Sequence, residues 1–199
     1  MTSAEPAAPI DPVRAPSPIL RWAVLPEQVD HRTREQLLSC WREVTNAGGA
    51  VGFPFPPVDD GHVRPVLEAM VGNLSPAGDR LLLATLDGQL AGWLLLSLNA
   101  GALTRHWARV SRVQTALEHR SRGIGRALMD EVARSAREDV GLDQLHLELR
   151  AGLALEDFYG RLGWEQVGRW PGALQLSEED RRDEVLMLLP LTGDRTADR

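Results

Sequence analysis

The sequence predicts a domain of the α/β (α+β) class with about seven strands and about four helices. An Asp87-Gly88 pair separates two apolar runs, which is typical of a β-hairpin with a primed turn. Residues 144–150 alternate between leucine and polar side chains, as in a strand buried on one face. Residues 124–136 repeat apolar side chains at helical spacing after a glycine-containing turn. The chain therefore contains both the alternation typical of strands and the spacing typical of helices, which predicts a mixed fold.

The elements of the first half are bounded by turn and breaker residues. A strand over 19–25 ends at Pro26, and a helix over 34–46 is closed by Gly48-Gly49. After a loop rich in glycine and proline, a second helix covers 63–74 with one apolar face. The hairpin strands then cover 80–86 and 89–98.

The second half continues with a strand over 106–117, a glycine turn, and an amphipathic helix that stops near Gly141. The alternating strand 144–150 places Leu145, Leu147 and Leu149 on the packed face. A short helix around 155–162 and two closing strands over 164–170 and 184–191 complete the pattern.

Length and composition indicate a single domain. The chain has 199 residues, of which 43% are hydrophobic, enough for one substantial core. We expect a disordered leader over 1–18, which contains five prolines, one domain over 19–191, and a flexible tail over 192–199. No run approaches the roughly 20 apolar residues of a membrane span, and the leader does not resemble a signal peptide, so the predicted location is the cytoplasm.

The turn before the amphipathic helix combines glycine with positive charge. Gly123 and Gly125 carry no Cβ, so successive N–H groups could converge on an anion at the helix N-terminus. Residues 119–126 contain three arginines and no acid, whereas the whole chain has a net charge of −6. The local positive charge is typical of a phosphate-binding turn. On the residues of the turn alone, an ordinary solvated helix start is an equal alternative.

Two common phosphate-binding motifs do not match. A P-loop requires a lysine after its second glycine, and all 22 basic residues of this chain are arginine. A dinucleotide fingerprint requires an acid at the end of the next strand, whereas Asp143 precedes that strand. Nucleic-acid binding is also not expected for an acidic chain, and one cysteine with five scattered histidines predicts no metal site.

The turn, read as Arg120-Ser121-Arg122-Gly123-Ile124-Gly125-Arg126, resembles motif A of the GCN5-related N-acetyltransferases (GNAT). The stretch 158–168, with Tyr159 and a Leu162-Gly163-Trp164 break, resembles the end of that family's motif B. The resemblance extends over about 19–191. It is closest to bacterial acetyltransferases of the tabtoxin-resistance type, which have stretches similar to 49–53 and 167–172.

The resemblance implies a single mixed, mostly antiparallel sheet that is splayed at the cofactor site. It implies acetyl-CoA as the acyl donor, with its pyrophosphate on the amides of the turn and its pantetheine on main-chain groups. Tyr159 would act as the general acid toward the leaving thiolate, and a core tyrosine is the alternative. The residues implied to bind the cofactor are Val113, Gln114, Thr115, Arg120, Ser121, Arg122, Gly123, Ile124, Gly125, Arg126 and Tyr159.

The general base is less clearly indicated. Arg109 stands where many relatives have a glutamate, and Gly152 stands where many have an asparagine that contacts the cofactor. Glu148 is the candidate base because it is an acid on the polar face of the alternating strand. The alternative is an ion pair between Glu148 and Arg150 or His146.

The acceptor is left open by the sequence. Arg109 and Arg112 would favour an anionic acceptor, whereas Glu148 would favour a cationic amine. The aromatic residues that could line an acceptor pocket, or equally belong to the core, are Phe53, Phe55, Trp93 and Trp107.

Two functions of different class follow. The first is an N-acetyltransferase acting on a primary amine of a small molecule or peptide, and the second is a non-catalytic acyl-CoA-binding sensor or scaffold. A homodimer formed through the closing strands is an expectation of the resemblance. Cys40, on a predicted helix beside Leu37 and Trp41, is interpreted as a core thiol rather than a nucleophile.

Overall fold

The computed structural model describes residues 17–49, 52–54 and 56–191, so most of the predicted leader and the whole predicted tail lie outside it. Within this part, a seven-stranded sheet has the order β1-β2-β3-β4-β5-β7-β6. Four α-helices accompany it, which confirms the predicted fold class. The strands are β1 Ile19–Ala23, β2 Asp79–Leu86, β3 Gln89–Leu98, β4 Trp107–Thr115, β5 Gln144–Arg150, β6 Glu165–Gln175 and β7 Arg181–Pro190, and the helices are α1 His31–Asn46, α2 Asp60–Gly72, α3 Ile124–Ser135 and α4 Leu155–Gly160.

Helices α1 and α2 each begin three residues before their predicted starts. The Asp30 side chain accepts a hydrogen bond from the backbone N–H of Thr33 at 2.8 Å. Asp59 accepts in the same way from the N–H of His62 at 3.1 Å. These caps satisfy the free N–H groups of a first turn that carries little apolar periodicity. Helix α3 continues into a π-helical turn, Ala136–Val140, and ends at Gly141 as predicted.

The helices cover the two faces of the sheet in pairs. Ile124, Leu128 and Val132 of α3 pack with Tyr159 of α4 on one face, in a core that includes Leu145, Leu147 and Leu149 as predicted. On the other face, α1 and α2 form a second core with strands β2 and β3. The polar residues of β5 alternate with its leucines and therefore lie on the α1–α2 face.

Strands β4 and β5 separate partway along their length. They are the only parallel neighbours among the described strands, and their pairing covers Trp107–Arg109 against Gln144–His146. Beyond Arg109, β4 continues to Thr115 with its β5-facing edge unpaired, while its other edge stays paired with β3. A register shift between β3 and β4 accompanies Arg112, which has a positive φ of 54°. A cleft therefore opens between the two strands.

Candidate functional site

The turn at the start of α3 presents a run of backbone donors. The N–H groups of residues 121–126 make no hydrogen bond within the described part of the chain, and the first helical bond of the turn joins the Ala127 N–H to the Gly123 carbonyl at 2.9 Å. Ser121 and Gly123 both have left-handed backbones, with φ of 61° and 79°. Alternating conformations of this kind turn successive N–H groups toward one concavity. The arrangement is suited to an anion.

Different local constraints explain why glycine stands at position 123 and at position 125. A Cβ at Gly123 would meet no atom within 4 Å, so glycine serves the positive φ and leaves the approach to the backbone open. A Cβ at Gly125 would lie 3.3 Å from Cζ of Phe158, so its absence also lets α3 approach α4 closely. Both glycines were predicted to allow the approach of a ligand, and packing against α4 is a second reason for glycine at position 125.

The cleft between β4 and β5 widens into a cavity of about 680 Å³, here called the helix-end cavity. The unpaired edge of β4 forms one wall, Leu147–Leu149 of β5 forms another, and the start of α3 closes one end. Most of the predicted site residues lie together here. They are Val113, Gln114, Thr115, Arg120, Ser121, Gly123, Ile124, Gly125, Arg126, Glu148 and Tyr159.

Tyr159 lines the helix-end cavity from α4 while being only 6% exposed. Its ring contacts Phe158 and Trp164 edge-on, with centroids 5.1 and 6.0 Å away. Its hydroxyl has no hydrogen-bond partner among the described residues. Burial raises the pKa of this hydroxyl, so it stays protonated at neutral pH. Tyr159 is thus a core residue with a protonated hydroxyl, and its side chain borders the cavity.

Glu148 lines a second cavity as well, of about 570 Å³, here called the sheet-face cavity. This cavity lies on the α1–α2 face and shares Ser111, Arg112 and Glu148 with the helix-end cavity. Oε1 of Glu148 lies 3.5 Å from Nε of Arg109. The ion pair considered with Arg150 or His146 is therefore formed with Arg109 instead, because parallel pairing brings β4 beside β5.

The structure adds residues that the sequence analysis missed. Arg150 and Glu184 line the sheet-face cavity from neighbouring positions of β5 and β7. Burial, and next the charge of Glu148, raise the pKa of the Glu184 carboxyl, while Arg109 acts in the opposite direction. Alternation along the last strand could have indicated Glu184, but its partner strand was not readable from sequence.

Some predicted residues lie elsewhere. Arg122 is exposed and does not line the helix-end cavity. Gly152 lines a third cavity, of about 480 Å³. His119, beside the turn, is largely buried, with Nε2 3.4 Å from Oε1 of Glu118.

The aromatic candidates divide between core and cavity. Trp93 is fully buried, and Trp107 stacks on His146 with ring centroids 4.2 Å apart. Phe53 lines the sheet-face cavity, and Phe55 lies outside the described residues.

Other chemistries find little support in the described residues. Burial raises the pKa of the Cys40 thiol to about 12, so it is not a ready nucleophile. No group of three potential metal ligands occurs among residues 17–49, 52–54 and 56–191. No helix in this part of the chain is both long and apolar enough to cross a bilayer.

Comparison with protein families agrees with this geometry. Residues 63–170, more than half of the chain, match the acetyltransferase (GNAT) domain. The chain therefore belongs to the GNAT acetyltransferase family. The family assignment made from the two sequence motifs is confirmed.

Solved structures support the fold. A ribosomal-protein-alanine N-acetyltransferase from Brucella melitensis is 23% identical, with a TM-score of 0.67 over 86% of this chain and 99% of that one. A GNAT acetyltransferase from Streptococcus pneumoniae is 18% identical, with a TM-score of 0.67 over 87% and 99%. The ribosomal-protein-S18-alanine N-acetyltransferase from Escherichia coli is 16% identical, with a TM-score of 0.61 over 91% and 100%. At these identities the likeness concerns the fold alone.

Proposed function

We propose that this chain transfers an acetyl group from acetyl-CoA to a primary amine of a small molecule or peptide by direct attack. One observation carries the proposal. The free N–H groups of Ser121 and of residues 123–126 border a cavity that follows the unpaired edge of β4 to Tyr159 and meets a second cavity at Glu148. A donor and an acceptor could therefore enter from different sides and meet between these two side chains.

The residues of the helix-end cavity fit coenzyme A. The amides of the turn and the positive charges of Arg120 and Arg126 suit a pyrophosphate. Main-chain groups of Val113, Gln114 and Thr115, on an edge that β5 leaves unpaired, suit the amides of pantetheine. When bound, acetyl-CoA supplies the activated acyl group as a thioester. Arg122 would contribute only to the surrounding positive field.

The side chains have complementary roles in the transfer. A carbon–nitrogen bond forms as the carbon–sulfur bond breaks, the amine loses a proton, and the departing thiolate gains one. Glu148 is our candidate to accept the amine proton, directly or through water, since it borders both cavities. Tyr159 is our candidate donor to the sulfur, and burial, which raises its pKa, keeps it protonated until then.

Several finer assignments belong to the same proposal. Kinship with the tabtoxin-resistance type is supported by the similar stretches at 49–53 and 167–172. A single domain over 19–191, a cytoplasmic location and a homodimer formed through the closing strands are proposed from the sequence patterns and the family resemblance.

Isothermal titration with acetyl-CoA, coenzyme A and NAD, followed by thiol-release assays over an amine panel, tests the proposal. We expect acetyl-CoA and coenzyme A to bind, NAD not to bind, and at least one amine to release thiol. Binding without release for any amine would favour a sensor or scaffold. Absence of binding to either coenzyme A species would overturn the assignment of the helix-end cavity.

A further inference from the structure

The sheet-face cavity carries an uneven set of charges. Arg109, Arg112 and Arg150 line it together with Glu148 and Glu184. Arg109 forms an ion pair with Glu148, with Nε and Oε1 3.5 Å apart. Arg112 lies over the Trp41 ring, with its guanidinium carbon 4.6 Å from the ring centroid. The remaining guanidinium, that of Arg150, decides the character of the cavity.

Arg150 is half-buried and has no carboxylate within 4.0 Å among the described residues. Its Nη2 donates to the Gly48 carbonyl, which fixes the side chain and leaves other N–H donors unused. Burial, and next the charge of Arg182, lower the pKa of Arg150, while Asp180 partly offsets both. A half-buried guanidinium held by a neutral acceptor is poorly compensated, and an oxyanion would complete it.

Neighbouring charges do not fill this role. Glu184 is the cross-strand partner of Arg150, yet the two side chains form no ion pair. The Glu184 carboxyl instead interacts with Glu148 and Arg109. Arg182 is bound by Asp180, with Nη2 and Oδ2 3.2 Å apart. Among residues 17–49, 52–54 and 56–191, no carboxylate therefore neutralises Arg150 directly.

The positions of Glu148 and Arg150 indicate how an acceptor would be oriented in the sheet-face cavity. The two residues lie two apart on the same face of β5, so their Cα atoms are about 6.6 Å apart. Glu148 is at the boundary with the helix-end cavity, whereas Arg150 lies between the sheet-face cavity and the third cavity, where Gly48, Asp180 and Arg182 are also found. A molecule with its amine at Glu148 would extend its other end toward Arg150. The side chains end apart from each other, since Glu148 reaches toward Arg109 and Arg150 reaches the Gly48 carbonyl, so acceptors with one to several bonds between amine and anionic group are candidates.

We infer that the acceptor is a small primary amine that also carries an oxyanion, a carboxylate or a phosphonate, bound by Arg150 while Glu148 faces the amine. This inference rests on the proposed function and narrows it, because a peptide has no carboxylate close to its N-terminal amine unless its first residue is Asp or Glu. Arg150 is a specificity-determining residue in this scheme. Its planar fork can bind either oxyanion with two parallel hydrogen bonds.

The test compares matched acceptors that differ only in the anionic group. Thiol release with acetyl-CoA is measured for glycine, L-methionine, β-alanine and 4-aminobutyrate, each against its own carboxamide. 2-Aminoethylphosphonate is measured against its diethyl ester to separate the two oxyanions. Intrinsic reactivity opposes the expected result, because the amine of a carboxamide loses its proton more easily than that of the free acid.

We expect kcat/KM for at least one anionic amine to exceed that of its neutral partner by on the order of tenfold or more. Arg150→Gln should remove most of that preference through KM, and Arg150→Lys should restore part of it. Arg169→Gln is the matched control, since Arg169 pairs with Asp183 on β6 and β7 and does not line the cavity. Acetyl-CoA affinity, measured by titration, should be unchanged in all three variants.

The outcomes separate the inference from the proposed function. Equal or better turnover of the neutral partners, or an anion preference that survives Arg150→Gln, would overturn the inference and leave the acetyltransferase proposal standing. Binding of acetyl-CoA without acetylation of any probe would count against both. A preference for the phosphonate alone would support the inference and identify the oxyanion.

Discussion

The helix-end cavity and the sheet-face cavity meet at Glu148, yet they are built from different parts of the chain. Half of the residues that line the first cavity belong to two short segments, 110–115 at the end of β4 and 120–126 around the start of α3, where the N–H groups of 121–126 are free among the described residues. The second is formed by side chains from β3, β4, β5 and β7, the end of β6, and the segment 52–54. Backbone groups tolerate many side chains, whereas a wall of side chains changes with every substitution. We therefore expect the first cavity to depend mainly on backbone conformation and the second on its individual side chains.

Gly123→Val is expected to have the largest effect of the variants considered, because it changes the backbone donors of the helix-end cavity. The added side chain would occupy the approach to the N–H groups, and acetyl-CoA affinity should fall on the order of 100-fold, as measured by titration. Gly141→Val is the matched control, since Gly141 has φ of 78°, against 79° for Gly123, and lies in open space beyond the other end of the helix.

Both variants should lose similar thermal stability, because each forces a side chain into the left-handed region. Only Gly123→Val should lose binding. Equal affinity of the two variants would remove the turn from the cofactor site.

Tyr159→Phe acts on a side chain that lines only the helix-end cavity, and it should lower kcat by about 100-fold, the usual loss when one proton donor is removed. Acetyl-CoA affinity should stay within about twofold, since the ring packing is preserved. Steady-state kinetics and titration measure the two quantities separately. Parallel loss of affinity and turnover would instead make Tyr159 structural.

Glu148→Gln should lower kcat by about tenfold at neutral pH, less than Tyr159→Phe, because water can still accept the amine proton. Arg109→Gln separates two readings of this loss, since Glu148 also holds Arg109. If Arg109→Gln reproduces the whole defect, the role of Glu148 is to position Arg109. A loss of kcat in Glu148→Gln that Arg109→Gln does not show would support the assignment of Glu148 as the general base.

Glu184→Gln is expected to have the smallest effect, on stability rather than turnover. Burial, and next Glu148, raise the pKa of Glu184 above its ordinary value of 4.5. The group therefore favours folding below 4.5, and that contribution is lost as pH rises through the raised value. The variant should melt up to about 2 °C above the parent at pH 7, with solvent screening keeping the gain small.

Melting curves at pH 7 and pH 4 check the Glu184 prediction. The difference between variant and parent should disappear at pH 4, where Glu184 is protonated in both the folded and unfolded chains. Glu165→Gln, at an exposed position of β6, should show no comparable dependence. A gain that is the same at both pH values would show that charge is not its cause.

Much of the fold was readable from local pattern. The strand Gln144–Arg150 was predicted with its observed bounds and with the leucines on the core face. The hairpin around Asp87-Gly88 and the end of the long helix at Gly141 were also correct, because each depends on residues adjacent in sequence. The predicted starts of α1 and α2 were late, since the Asp30 and Asp59 caps precede the apolar repeats. The closing strands were predicted too short, because β6 and β7 pair through register shifts that alternation does not reveal.

The sequence by itself indicated the class of protein, through the resemblance of two motifs to those of a known family, and it identified the glycine turn as an anion site, because a turn and a helix start are contiguous and their chemistry is carried by the backbone. The opening between β4 and β5 that forms the cavity depends on the tertiary structure. Only the tertiary structure decided that Glu148 pairs with Arg109, that no carboxylate of the described residues neutralises Arg150 directly, and that Glu184 joins the same cavity. Strand order brings these side chains together from positions up to 75 residues apart, between Arg109 and Glu184. Periodicity assigns a residue to a face, but the neighbours across that face are set by which strands pair.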